Sequence, residues 1–141
     1  MDQLNDKTVT VKANIQASVE KVWHCWTDPQ HIRQWNQASD DWHTPYADND
    51  VRVGGTFCWR MEAKDGSFGF DMRGTYEIVN LHEAIRYRME DGRQVDLTFI
   101  HHNSSTEVIE TFEAETMNPV ELQRQGWQAI LNNFMRHVER I

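Results

Sequence analysis

Residues 56–76 read TFCWRMEAKDGSFGFDMRGTY, and the fold turns on how this stretch is read. Phe57, Trp59 and Met61 alternate with Cys58, Arg60 and Glu62, and beyond Ser67 the positions Phe70, Met72, Gly74 and Tyr76 alternate in the same way. A period of two belongs to strands with one buried face. Between the runs stands Asp65-Gly66, a dipeptide suited to a type I′ hairpin. Counting back from it pairs Met61 with Phe70, Trp59 with Met72 and Phe57 with Gly74. The two apolar faces then coincide, whereas a slip of one residue would turn one strand's apolar set to the other face of the sheet.

The same period continues to about residue 114. Ile85, Tyr87 and Met89 alternate with Arg86, Arg88 and Glu90, and Val95, Leu97 and Phe99 follow after Asp91-Gly92. A two-residue turn at Asp91-Gly92 would set Tyr87 against Asp96 and oppose the apolar faces, so a three-residue or bulged turn is expected. A tight turn at Asn103-Ser104 pairs Phe99 with Val108, Leu97 with Glu110 and Val95 with Phe112.

Upstream, Val9, Val11, Ala13 and Ile15 form one face of a strand over residues 7–15. Ser18 is a good N-cap for a short helix carrying Val19, Val22, Trp23 and Trp26, and Asp28-Pro29 opens a second with Ile32 and Trp35 on its apolar side. Residues 37–49 are polar and irregular, so no element is expected there. At the end, Asn118 caps, Pro119 opens and Glu121 completes a capping-box spacing for a helix of about 23 residues, ~35 Å long. Its stripe is Trp127, Ile130, Leu131, Phe134, Val138 and Ile141. The order is strand, two short helices, five strands and a long helix.

The 141 residues suit a single domain, 1–141. A formal charge of -8 repels phosphate backbones, so no nucleic acid partner is expected. No run approaches the ~18 apolar residues of a membrane span, and the start, MDQLNDKTVTV, lacks a basic region followed by an apolar stretch. A cytoplasmic protein without membrane insertion is expected. Cys25 and Cys58 form no CxxC pair and are read as reduced structural thiols.

Three segments resemble a known family: IQASVEKVWHCWTDPQHIRQW (residues 15–35), VRVGGTFCWRM (residues 51–61) and GWQAILNNFMRHVE (residues 126–139). With the order of elements, they resemble the START-like (SRPBCC) superfamily. Within it they are similar to the small bacterial proteins related to the C-terminal domain of the activator of the Hsp90 ATPase. The resemblance implies an α+β helix-grip (START/Bet v 1-like) fold: a curved antiparallel sheet of about six strands around a long C-terminal helix, with two short helices after the first strand. Relatives of this fold bind lipids, sterols, plant hormones or polyketides, some catalyse cyclisation and some assist Hsp90. The single domain expected here leaves no room for the N-terminal Hsp90-binding domain of the eukaryotic activators.

The inner face carries Phe57, Trp59, Met61, Phe70, Met72, Tyr76, Tyr87, Met89, Leu97 and Phe99, faced by Trp35 and by Trp127, Leu131 and Phe134 of the last helix. Aromatic and methionine walls suit a small hydrophobic ligand, and the same residues would equally fill a core. Gly126 admits two readings as well, a pocket beside Trp127 or close packing of helix on sheet. Glu110 falls between Val108 and Phe112 on the inner face, where a carboxyl must be paired or protonated; a one-residue shift would turn Ile109 and Thr111 inward instead.

Inner-face Glu110 with Tyr87 or His101 is thus the candidate set for a cyclase- or hydrolase-like alternative, and Tyr76 could complete the polar end. No cofactor fingerprint occurs. The seven histidines form no metal-ligand spacing, adjacent His101 and His102 point to opposite faces, and Asp48-Asn49-Asp50 lacks the rest of a calcium loop, so no metal is expected. A chaperone or other protein partner is the further alternative. Its handle is Trp42, in the acidic stretch Asp40-Asp41-Trp42-His43, which would either stand exposed for docking or fold back as a lid on Trp35 or the last helix.

Overall fold

The computed structural model describes residues 8–141; Lys7, where the first strand was expected to begin, lies outside them. The elements run β1 (Thr8–Ile15), α1 (Val19–Thr27), α2 (Pro29–Trp35), β2 (Trp42–Asn49), β3 (Thr56–Ala63), β4 (Gly69–Asn80), β5 (Ala84–Met89), β6 (Gln94–His101), β7 (Thr106–Glu113) and α3 (Val120–Arg140). One antiparallel sheet holds all seven strands in the order β1-β7-β6-β5-β4-β3-β2. Its curled inner face grips α3, with the two short helices beside it: the helix-grip architecture.

Pairing follows the registers that the side-chain alternation sets. Met61 lies opposite Phe70, Trp59 opposite Met72 and Phe57 opposite Gly74, and Leu97 lies opposite Glu110. The β3–β4 turn itself is not type I′, which needs φ > 0 at both central residues. Only Gly66 has it (φ 77°), and the Gly66 amide donates to the Ala63 carbonyl at 3.0 Å. At β5–β6 the expected three-residue loop is present: Tyr87 faces Val95, and Gly92 takes φ 95° so that the Met89 amide can reach the Arg93 carbonyl at 2.8 Å.

Gly74 meets a different need. A Cβ there would lie 2.6 Å from the Phe57 ring and 2.8 Å from the Arg88 carbonyl oxygen, so only hydrogen lets β4 pass beneath that ring.

Three further expectations fail. Residues 42–49 are a strand, giving seven rather than about six. β2 is an edge strand, broken by a register shift between His43 and Tyr46 beside Pro45, and an edge tolerates both the polar sequence and the proline. At the start of α3, Asn118 gives no side-chain cap and Pro119 takes the N-cap position. The preceding loop is tied instead by Glu115, whose carboxylate accepts from the Met117 and Asn118 amides at 2.6 and 2.8 Å. Ile141, placed on the apolar stripe, is 55% exposed because it follows the last helical turn.

Ser18 and Asp28 cap as expected, accepting from the amides of Lys21 (3.2 Å) and Gln30 (2.8 Å). The convex face carries mixed ion pairs such as Arg86–Asp96 and Arg88–Glu77, which fix partners across strands more than they stabilise. Helix α3 has its nearest neighbours in β1, α1 and α2. Over β3–β5 its N-terminal half stands off the sheet, and that gap becomes the site.

Candidate functional site

Between that half of α3 and the inner face of β3–β5 lies a cavity of about 240 Å³. The floor is Trp59 and Met61 of β3, Phe70 and Met72 of β4, and Tyr87 and Met89 of β5. Trp35 at the end of α2 and Trp127 of α3 close the sides, and Glu110 of β7 reaches in from the far strand. The other six residues expected at a ligand, Phe57, Tyr76, Leu97, Phe99, Leu131 and Phe134, pack in the hydrophobic core and do not line the cavity. Phe134 lies against Trp26 and Trp35, with ring centroids 4.9 and 4.8 Å away. Trp127 stacks on Phe112 at 3.9 Å, which holds it as a wall instead of a plug.

Glu110 is the polar centre of the site. It is 5% exposed, and burial moves its pKa from the ordinary 4.5 to about 8. Among the described residues no hydrogen-bond or ion-pair partner reaches its carboxyl. The neutral acid is therefore the form held at pH 7, because an isolated carboxylate in an apolar wall is far costlier. Tyr87 shares the cavity, and burial first and the Glu110 charge second push its phenol well above the usual range. His101 does not join them: it is exposed at the end of β6, where the alternation outruns the core. Tyr76 is also engaged elsewhere, its hydroxyl hydrogen-bonded to the Asn49 side chain.

Two further polar groups belong to this wall: Trp59, expected there as an aromatic wall residue, adds its indole N–H, and Asn36 was not singled out by the sequence. The Trp59 indole N–H and the Asn36 side-chain amide are buried donors without a partner among the described residues, and both residues line the cavity. Asn36 is recognisable only from the fold. It ends α2, and its carbonyl accepts from the Thr44 hydroxyl of β2 at 2.6 Å, which locks it in place. At the rim, Arg93, Glu115 and Gln123 are already satisfied: Arg93 binds Asp91 at 2.9 Å, and Gln123 bridges the Glu115 amide (2.9 Å) and carbonyl (3.0 Å). The rim is thus closed on itself, and the three groups without protein partners lie deeper.

Trp42 adopts neither of its expected poses. Half-buried at the start of β2, its ring meets Phe68 at 6.0 Å and Phe70 at 6.1 Å, not Trp35 or α3. A Cβ at Gly126 would meet nothing within 4 Å, so close packing against the sheet does not account for that glycine. Away from the cavity, Cys25, His31 and His137 offer ligand atoms within 4.8 Å of one another. No described helix is long and apolar enough to cross a membrane.

A solved structure of an AHSA1-like protein from Aeromonas hydrophila is 46% identical to this chain, covers 94% of it and 92% of its own length, and superposes with a TM-score of 0.89. The protein Chr148 from Cytophaga hutchinsonii is likewise 46% identical, over 95% of this chain and 93% of its own, with a TM-score of 0.83. At 21% identity, CV1439 from Chromobacterium violaceum shares the fold, covering 96% of this chain and 99% of its own with a TM-score of 0.83. No curated protein matches the chain. The model of the family described as activator of Hsp90 ATPase homolog 1-like protein matches residues 16–139. With nearly every described element inside that match, the chain belongs to the activator of Hsp90 ATPase homolog 1-like family of the START-like superfamily.

Proposed function

We propose that this protein binds a small, oxygen-bearing hydrophobic molecule of one or two rings in the cavity between β3–β5 and α3. The observation that carries the reading is the meeting of apolar walls with three polar groups that have no hydrogen-bond partner among the described residues: the Trp59 indole N–H and the Asn36 amide, and the Glu110 carboxyl, on which burial alone acts. Each buried unpaired group costs about 1–3 kcal/mol, which a ligand pairing with it would recover. Two of them donate only, so they call for a carbonyl or ether oxygen. The protonated Glu110 suits a hydroxyl or a second carbonyl.

Size narrows the class further. A dry cavity of ~150 Å³ accepts benzene, so about 240 Å³ suits one or two fused rings and is small for a sterol or a long acyl chain. Of the lipid, sterol and polyketide-like ligands that the family resemblance suggests, the compact polyketide-like aromatic is the one favoured here.

Isothermal titration of the full chain with naphthols and hydroxy-naphthoquinones, beside palmitate and cholesterol, tests this. The bicyclic compounds should bind one to one, and Glu110→Leu should weaken them about 10-fold, the worth of one hydrogen bond. Binding of cholesterol or palmitate in preference to the bicyclics, or no binding of any, removes the proposal. A second reading, general-acid catalysis on the bound molecule, is favoured by one observation, that Glu110 holds a proton up to about pH 8 beside Tyr87. Turnover of the bound compound, absent in Glu110→Gln, would mark it.

A further inference from the structure

Toward the C-terminal end of α3, beyond the half that lines the cavity, the three helices bring together groups that no spacing in the sequence joins. Cys25 of α1 is 1% exposed, His137 of α3 is 2% exposed, and His31 of α2 is half-buried between them. His31 Nδ1 lies 2.9 Å from His137 Nε2, and the ligand atoms of all three residues fall within 4.8 Å of one another. Neighbours hold two of the three: the Cys25 carbonyl accepts the Trp35 indole N–H at 2.9 Å, and the His24 ring packs edge-on against His31 at 5.2 Å. His31 also shares a second, more exposed group with His24 and Asp28, whose ligand atoms again lie within 4.8 Å. The buried trio therefore has a route to the surface that is itself lined with ligand groups.

We propose that Cys25, His31 and His137 form a binding site for a borderline-soft divalent ion, Zn²⁺ above all, that clips α1 and α2 to α3. One thiolate and two imidazoles are the donor set zinc prefers, with solvent as the fourth ligand. Tetrahedral bonds of ~2.0 Å to nitrogen and ~2.3 Å to sulfur put the donor atoms ~3.3–3.6 Å apart. The two nitrogens, 2.9 Å apart, must therefore part by a few tenths of an ångström, and the sulfur, within 4.8 Å of both, closes by at most about 1.3 Å.

The proton balance is simple. Burial holds the Cys25 thiol up, so the ion displaces that proton and one H⁺ leaves per ion bound. The hydrogen between the two imidazoles moves to the donor ring's other nitrogen with no net release. Trp26 and Trp35, on the same two helices, line the ligand cavity, so the clip would also stiffen that wall. The proposal stands independently of what the cavity binds.

Cobalt(II) titration of the reduced, metal-free full chain provides the test. One equivalent should produce the intense visible bands of tetrahedral cobalt and a thiolate charge-transfer band, both abolished by added Zn²⁺, and Tm should rise with Zn²⁺ concentration. Cys25→Ser should lose the charge-transfer band, and His31→Gln, at a half-buried position, should weaken binding at least ~100-fold. Cys58→Ser should change nothing. X-ray absorption of the zinc-loaded wild type should show one sulfur and two imidazole nitrogens, a reading that requires no variant to fold. Absence of the bands, bands that depend on Cys58, an affinity unmoved by His31→Gln, or a zinc shell without sulfur would each overturn the site, leaving a plain His–His hydrogen bond.

Discussion

Replacing Glu110 by glutamine separates the charge of this side chain from its shape. Burial takes its pKa from 4.5 to about 8, so the unfolded chain gives up the proton near pH 4.5 while the folded chain keeps it to about pH 8. Between those values the folded state binds more protons than the unfolded one, and stability falls as pH rises through that window. Below and above it the contribution is level. At 1.36 kcal/mol per pH unit the whole window is worth about 5 kcal/mol, with about 70% of that lost by pH 7.

Solvent in the cavity screens part of this, so about 2–3 kcal/mol is expected at pH 7. Glutamine has nearly the same shape and no charge to lose, and the other titrating groups cancel in the comparison. Guanidinium unfolding of both proteins at about pH 4.5, 6, 7 and 8.5 is the assay. The two should be nearly equal at the acid end, with Glu110→Gln pulling ahead as pH rises. Parallel stability curves would show that Glu110 is not a protonated buried acid.

Gly74→Ala should cost about 1–3 kcal/mol in denaturant unfolding, because its Cβ would strike the Phe57 ring at 2.6 Å with β5 backbone behind it. Gly126→Ala should do the opposite, raising stability by about 0.5–1 kcal/mol, since it gains helix propensity and its Cβ meets nothing. Removing the Tyr76 hydroxyl with Tyr76→Phe should cost about 1–2 kcal/mol through the lost Asn49 bond; an unchanged midpoint would mean that bond is not formed. Trp42→Ala should lower stability by about 1 kcal/mol, as expected for a half-buried ring on Phe68 and Phe70.

What the sequence disclosed and what it hid divide along a physical line. Strand register was legible because one buried face makes every side chain a vote, so Phe57 opposite Gly74 and Leu97 opposite Glu110 could be placed from the alternation alone. Glu110 was found by that count, and the same count misplaced His101, because alternation says which face a residue takes but not where the core stops. β2 escaped because an edge strand satisfies half its backbone with water and needs no apolar pattern. The cavity could not be told from a filled core, since it depends on where α3 stands off the sheet. Cys25, His31 and His137 stayed invisible for a related reason: each lies on a different helix, and only their packing brings the three together.

The indole N–H resonance of Trp59 gives the most direct test of the ligand reading, because that donor is buried without a partner among the described residues and belongs to a residue of the cavity wall. In a two-dimensional ¹H–¹⁵N spectrum with saturating hydroxy-naphthoquinone, this indole signal should shift downfield as it gains an acceptor, together with the Asn36 side-chain amide, while the Trp23 indole stays in place. Binding that leaves the Trp59 and Asn36 signals unmoved would place the ligand elsewhere and overturn the proposed site.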